Sequence, residues 1–287
     1  MFVASSSRHW GHLVVVTPSG YGGLGRQNGG VASVRHPFLD GPTPRAFAHR
    51  GWHCGELAGM ENSLTAFRRA AAEGYRYLET DVRSTRDGVV VILHDPTLDR
   101  TTDGSGEVEQ LDWAAVRSAR VGGREPVCRL TELMEELPDA LVNIDVKADS
   151  AVEPVLRLLQ RTGQWHRVCI VAFSEARLRR IRKAAGPRVL TSMGPTSAVA
   201  LRLRSVVPIP APIRGRIAQI PARIFGVPVI DRRLVHYAHV RGFEVHVWTV
   251  DREAEMHALL DLGVDGLMTD EPDVLRAVLR TRRAWPA

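Results

Sequence analysis

Residues 77–82 read Tyr77-Leu78-Glu79-Thr80-Asp81-Val82. Two carboxylates two positions apart share one face if this segment is a β-strand, because strand side chains alternate. Tyr77, Leu78 and Val82 make the strand apolar around them, which argues against a solvated edge. Two acids buried side by side repel each other unless positive charge stands between them. Outward from this stretch the same arrangement repeats. The run Ala46-Phe47-Ala48 ends in His49-Arg50-Gly51, and the run Val89–Leu93 ends in His94-Asp95. Leu141–Val146 carries Asp145 near its end and leads to Lys147. Polar, chemically capable groups thus stand where apolar strands finish.

Eight strand-like runs follow one another from residue 45 onward: Ala46–Ala48, Tyr77–Val82, Leu141–Val146, Val168–Phe173, Arg188–Leu190, Ile217–Ile220, Glu244–Trp248 and Gly266–Met268. Helix-like stretches lie between most of them, among them Ser63–Glu73, Ala151–Thr162, Glu175–Ala184, Arg232–Val240, Arg252–Leu260 and Pro272–Arg280. Asn62 and Asp251 stand at the expected N-caps of the first and fifth of these. Alternation of this kind predicts an α/β protein with a parallel sheet. An open doubly wound sheet has the same periodicity. Eight strands with polar ends favour a (β/α)8 TIM barrel, whose strand C-termini converge on the face that holds the active site. Val89–Leu93 is a ninth extended run, expected as a small insertion after the second strand.

The barrel is expected over residues 44–287, close to the typical ~250 residues of this architecture. Residues 1–43, rich in serine and glycine, are expected to form a flexible extension. A hydrophobic fraction of 44% and a charged fraction of 24% are those of an ordinary globular chain. The formal charge is +6, but the basic residues are scattered arginines, so no nucleic-acid partner is expected. Three widely spaced cysteines, Cys54, Cys128 and Cys169, give neither a disulfide framework nor a zinc pattern. With no transmembrane run and no signal-peptide core, a cytoplasmic location is expected. Nothing in the sequence specifies an oligomeric state.

Taken in order, the motifs resemble those of the glycerophosphodiester phosphodiesterase family. They are His49-Arg50-Gly51, Glu61-Asn62-Ser63, Glu79-Thr80-Asp81, His94-Asp95, the run from Leu98 to Gly104, Asp145-Val146-Lys147, Trp248-Thr249 and Thr269-Asp270. The resemblance spans roughly Arg45 to Pro272. It implies a barrel that uses a divalent cation, Mg²⁺ or Ca²⁺, to hydrolyse a glycerophosphodiester to sn-glycerol 3-phosphate and an alcohol. It further implies His49 and His94 as the catalytic pair and Glu79, Asp81 and Asp145 as metal ligands. The family commonly has glutamate where this chain has Asp145, and proline where it has Met60.

The residues themselves agree with this chemistry. Imidazoles suit acid–base work near neutral pH, and His49 is favoured as the base. Carboxylate oxygens suit a hard cation. Arg50 and Lys147 can balance phosphate charge, and Trp248 can pack on the glycerol moiety. Glu61 and Asn62 are expected to support the site from behind rather than react.

Three readings of function stay open at this point. One is the diesterase. Another is a phospholipase D-like enzyme related to sphingomyelinase D, which has a similar histidine pair and Asp-x-Lys arrangement and releases a cyclic phosphate. The last is a non-catalytic binding protein on the same scaffold, against which the complete acid, base and ligand set argues. The arginine- and proline-rich stretch Leu201–Arg216 is expected to be the fifth helix and its exit, on the face away from the site. Arg223 and Phe225, after the sixth strand, are expected on the site's face.

Overall fold

The computed structural model describes residues 36–285, which belong to one compact unit, Arg35–Ala287. Its barrel strands are β1 (Arg45–His49), β2 (Tyr77–Ser84), β3 (Leu141–Val146), β4 (Val168–Val171), β5 (Leu190–Thr191), β6 (Ile217–Pro221), β7 (Glu244–Trp248) and β8 (Gly266–Thr269). They pair in parallel in the order β5-β4-β3-β2-β1-β8-β7-β6. A parallel bridge between Ser192 and Ile217 joins the two ends, with Met193 N–H donating to the Ile217 carbonyl at 2.7 Å. The result is the expected eight-stranded TIM barrel.

Eight helices surround it: α1 (Leu64–Ala72), α2 (Leu130–Glu136), α3 (Val152–Thr162), α4 (Glu175–Ala185), α5 (Pro195–Arg204), α6 (Arg232–Val240), α7 (Glu253–Leu262) and α8 (Pro272–Thr281). The arm Val90–Ile92 pairs antiparallel with β2 and opens the insertion before α2. This insertion has its own apolar cluster of Val91, Leu93, Leu98, Val108, Val116, Ala119, Val121 and Val127.

Strand alternation sorts the barrel's interior into levels. Arg45, Phe47 and His49 follow one another on the inward face of β1, as do Tyr77, Glu79 and Asp81 on β2, and Glu244, His246 and Trp248 on β7. The lower level is closed. Arg45 donates to both carboxylate oxygens of Glu244 at 2.8 Å, to the Tyr77 hydroxyl at 2.5 Å and to the Leu39 carbonyl at 2.7 Å. Phe38 packs edge-on against Tyr77 at 5.3 Å between centroids and is completely buried.

Several expectations need correction. Residues 1–35 of the anticipated extension lie outside the described range, but residues 36–43 do not behave as an extension, since Phe38 and Leu39 plug the barrel. Asn62 does not cap α1. Ser63 does, its hydroxyl accepting from Ala66 N–H at 3.1 Å. Asp251 does not cap α7 either, for it accepts from the Asp270 N–H and the Thr269 hydroxyl instead. Strand β5 starts at Leu190 rather than Arg188 because Gly186-Pro187-Arg188 forms a 3-10 turn. Helix α2 was not anticipated. Helix α5 starts at Pro195, and its Arg202 and Leu203 line the mouth, so only the later part of the basic stretch lies away from it.

Candidate active site

The upper level of the barrel opens into a cavity of about 610 Å³. His49, Arg50, Glu79, Asp81, His94, Asp145, Lys147 and Trp248 all line it. The register explains why the sequence brings them together. His49 stands beside Glu79 across β1–β2, and Asp81 stands beside Asp145 across β2–β3.

Local backbone sets the first motif. Arg50 takes φ +57°, in the sparsely allowed left-handed region. Gly51 follows at φ +86°, where a Cβ would come within 2.9 Å of Ala66 in α1. Only glycine lets the β1 exit pass this close to the helix.

Each histidine is held through Nδ1 by a carboxylate. His49 Nδ1 is 2.6 Å from Asp270 Oδ1, and His94 Nδ1 is 2.6 Å from Asp95 Oδ1. A carboxylate there keeps the proton on Nδ1 and leaves Nε2 for exchange. His49 Nε2 lies 3.6 Å from Glu79 Oε2. Burial opposes charge on His49, but Glu79 and Asp270 outweigh it and raise its pKa above the ordinary value. His53 also contacts Asp270, at 3.1 Å. It helps orient that carboxylate.

The acids are unequal. Burial and neighbouring Asp81 push Glu79 up to about 8. Burial raises Asp145 as well, against the pull of Lys147. Burial also opposes charge on Asp81, but Lys147 and Arg50 hold it below the usual range. Lys147 Nζ bridges Asp81 Oδ1 at 2.9 Å and Asp145 Oδ2 at 2.7 Å. Asp145 Oδ1 is buried with no hydrogen-bond partner among the described residues.

Glu61 and Asn62 stand behind these groups. Asn62 donates to Asp81 Oδ2 at 3.0 Å. Glu61 accepts from Arg50 at 3.0 Å and from Arg100 at 2.8 and 2.9 Å, while Arg100 also grips Asp95. An ionic chain therefore runs from His94 through Asp95, Arg100, Glu61 and Arg50 to Asp81. Asp95, Arg100 and Asp270 lay within motifs legible in the sequence, but their roles did not. Arg83 was missed altogether. It donates twice to the His94 carbonyl, at 2.8 and 3.0 Å.

Whether the acids fit a divalent cation is decided by their donors. All are hard oxygens, one buried oxygen has no partner among the described residues, and burial and Asp81 together raise Glu79. The set fits such an ion. Their donor atoms do not all lie within 4.8 Å of one another. Among the described residues that condition is met by Cys54, Glu271 and Asp273, a separate group. Trp248 ends β7 edge-on to Phe173 at 5.4 Å between centroids, forming the cavity's apolar side.

Comparison with known proteins identifies relatives of the whole barrel. Over 269 residues the chain is 42% identical to a Mycobacterium tuberculosis protein named probable glycerophosphodiester phosphodiesterase 2, covering 90% of this chain and 98% of that one. It is 30% identical over 235 residues to the glycerophosphodiester phosphodiesterase of Caldanaerobacter subterraneus, covering 77% and 92%. Among solved structures, the glycerophosphodiester phosphodiesterase of Agrobacterium tumefaciens matches with a TM-score of 0.67 at 27% identity, covering 81% of this chain and 99% of that one. An Oleispira antarctica phosphodiesterase in complex with the product sn-glycerol 3-phosphate has the same fold, with a TM-score of 0.68 at 22% identity, covering 83% and 97%. The family model itself matches residues 49–274, from the first histidine to just past the Asp270 that holds it, and the chain belongs to the glycerophosphoryl diester phosphodiesterase family of enzymes.

Proposed function

We propose that this enzyme hydrolyses glycerophosphodiesters to sn-glycerol 3-phosphate and an alcohol, with His49 and His94 as general base and acid and with Glu79, Asp81 and Asp145 holding a divalent cation. The observation that carries the reading is the pair of imidazoles, each with a carboxylate 2.6 Å from Nδ1, on one cavity with three buried acids.

Cleaving a phosphodiester requires removal of a proton from the nucleophile and delivery of one to the leaving alkoxide. His49, with its proton fixed on Nδ1 by Asp270, offers Nε2 as the acceptor. His94, oriented by Asp95, takes the opposite task. Bound Mg²⁺ or Ca²⁺ would supply positive charge for the nonbridging phosphate oxygens. Arg50 and Lys147 add to that charge from the protein, and Arg50's planar fork suits phosphate. Trp248 offers its ring to the glycerol carbons. We read the site of action as the cytoplasm, since Cys54, Cys128 and Cys169 are all free thiols.

Turnover of glycerophosphocholine, followed by phosphorus NMR, tests the reading. Activity is expected with Mg²⁺ or Ca²⁺, none in excess chelator, and sn-glycerol 3-phosphate as the phosphorus product. Full turnover in chelator would overturn the metal assignment. A cyclic phosphate that persists as the end product would move the enzyme to the phospholipase D-like reading.

A further inference from the structure

Among the described residues nine large apolar side chains are exposed, and all but Val240 fall on three segments. Phe173 follows β4, Val199, Leu203, Val206 and Val207 belong to α5 and its exit, and Ile224, Phe225 and Val227 form the loop after β6. Phe173, Val199, Leu203 and Ile224 all line the catalytic cavity, so these segments surround one opening. Exposed apolar residues scattered singly need no explanation, but a contiguous rim does.

The loop after β6 is built to project. Arg223–Ile224 pairs antiparallel with Val227–Pro228, and the turn between them is Phe225-Gly226. Phe225 is held at φ +48° with its side chain wholly exposed. A phenylalanine at that φ is an outlier, and here it forms the tip of the turn rather than part of any core. On α5, Val199 and Leu203 are one turn apart on a face that no other element of the described residues covers.

Charge on the same segments has one sign. Residues 195–233 contain seven arginines and a single acid, Asp231, an excess equal to the +6 of the whole chain. Arg214 and Arg216 precede β6 and lie toward the barrel's closed end. Around the mouth, Arg202 pairs with Asp231 at 3.0 Å and Arg223 with Glu255 at 3.2 Å. Arg232 and Arg233, in the first turn of α6, are exposed and lie in no ion pair with any of the described residues.

We propose that this rim docks the enzyme on a phospholipid bilayer bearing anionic lipid, with Phe225 and Val227 entering the headgroup–acyl boundary and Arg232 and Arg233 facing the lipid phosphates. Apolar residues flanked by unpaired arginines are the combination that holds a protein at such an interface. Docked in this way, the enzyme presents its cavity mouth to the lipid layer. The inference concerns binding and stands apart from the reaction assigned to the site.

Flotation of the full-length protein with vesicles tests it, using phosphatidylcholine alone or mixed with phosphatidylglycerol. The wild type is expected to float with the mixed vesicles. Phe225→Asp combined with Val227→Asp should lower the bound fraction by tenfold or more, on the order of what loss of a buried aromatic side chain costs. Arg232→Gln and Arg233→Gln should each cost about fivefold on the mixed vesicles and nothing on neutral ones. Thermal melts should be unchanged, because every altered side chain is exposed. A wild type that stays with the soluble fraction on both vesicles overturns the proposal. So does a Phe225→Asp, Val227→Asp protein that floats normally. A lipid-free dimer that dissociates in this double variant would assign the rim to self-association and overturn docking as well. No turnover is read, so an inactive enzyme that floats would refute the proposed reaction and leave docking intact.

Discussion

Glu244 and Glu79 are both buried glutamates on inward faces of the same barrel, at opposite ends. Burial opposes charge on each. At the closed end, Arg45 and His246 outweigh that cost and hold Glu244 well below the usual carboxylate range. At the open end, Asp81 adds to it and Glu79 rises to about 8. The difference teaches how to tell a structural charge from a working one. The lower network meets its electrostatic needs from within the chain, whereas in the upper one burial and Asp81 outweigh His49 and Lys147 at Glu79, an imbalance that a bound cation would counter.

The largest expected effect lies at the open end. His49→Ala and His94→Ala should each lower kcat by about 10²-fold or more, the scale of lost acid–base catalysis. Melting temperatures should hold, since both side chains line the cavity. Wild-type kcat in either variant would make that histidine structural.

Reversing the two glutamates sharpens the comparison further. Glu244→Gln removes one partner of a buried ion pair and should destabilise by about 3–5 kcal/mol, with kcat of the folded fraction retained. Glu79→Gln should abolish most turnover yet melt higher than the wild type at pH 8 in chelator. The signs follow from linkage. Glu79 has a folded value above its ordinary 4.5, so the native state retains a proton that the unfolded chain releases, and stability falls as pH rises from there toward about 8. Glu244 is shifted down, so its contribution is present above the ordinary value and disappears as pH falls through its folded one. Chemical denaturation across pH, in chelator, reads both limbs.

A smaller effect separates ligand from ion-pair partner at Asp145. If it holds the cation, Asp145→Asn weakens cation affinity, and higher Mg²⁺ or Ca²⁺ partly restores the rate. Loss of stability with no rescue would make Lys147 its only purpose. Asp145→Glu should stay active, since the family commonly has glutamate there.

Least affected should be the basic stretch before β6. Arg214→Gln with Arg216→Gln is expected to leave kcat/KM within about twofold, while Arg202→Gln, on the cavity wall, raises KM. The opposite pattern would mean that the later part of the stretch reaches the mouth.

Much of this was legible from the residues. Strand alternation fixed which side chains point inward, so the apolar runs ending in His49, Asp81, His94 and Asp145 were enough to assemble one cavity. Pairing across space was harder to read. Asn62 resembles a cap by its position, but it points at Asp81, and Ser63 caps the helix. Arg83 carries no motif, and its grip on the His94 carbonyl depends on the antiparallel arm lying beside β2. Phe38 sits in a short segment whose periodicity is silent, and only the closed barrel shows what it covers. Helix α5 misled for another reason. Its sequence is apolar on more than one face, so the pattern did not reveal that one of those faces borders the mouth.

The insertion that bears His94 has an apolar cluster of its own, distinct from the clusters of the barrel. Half of the proposed acid–base pair therefore belongs to a segment packed largely on its own cluster, and local opening there is expected at a free energy below that of global unfolding. Amides of Val91 and Leu98 should then exchange with solvent before those of β1 and β2, and a mild denaturant should silence the enzyme while its barrel is still folded.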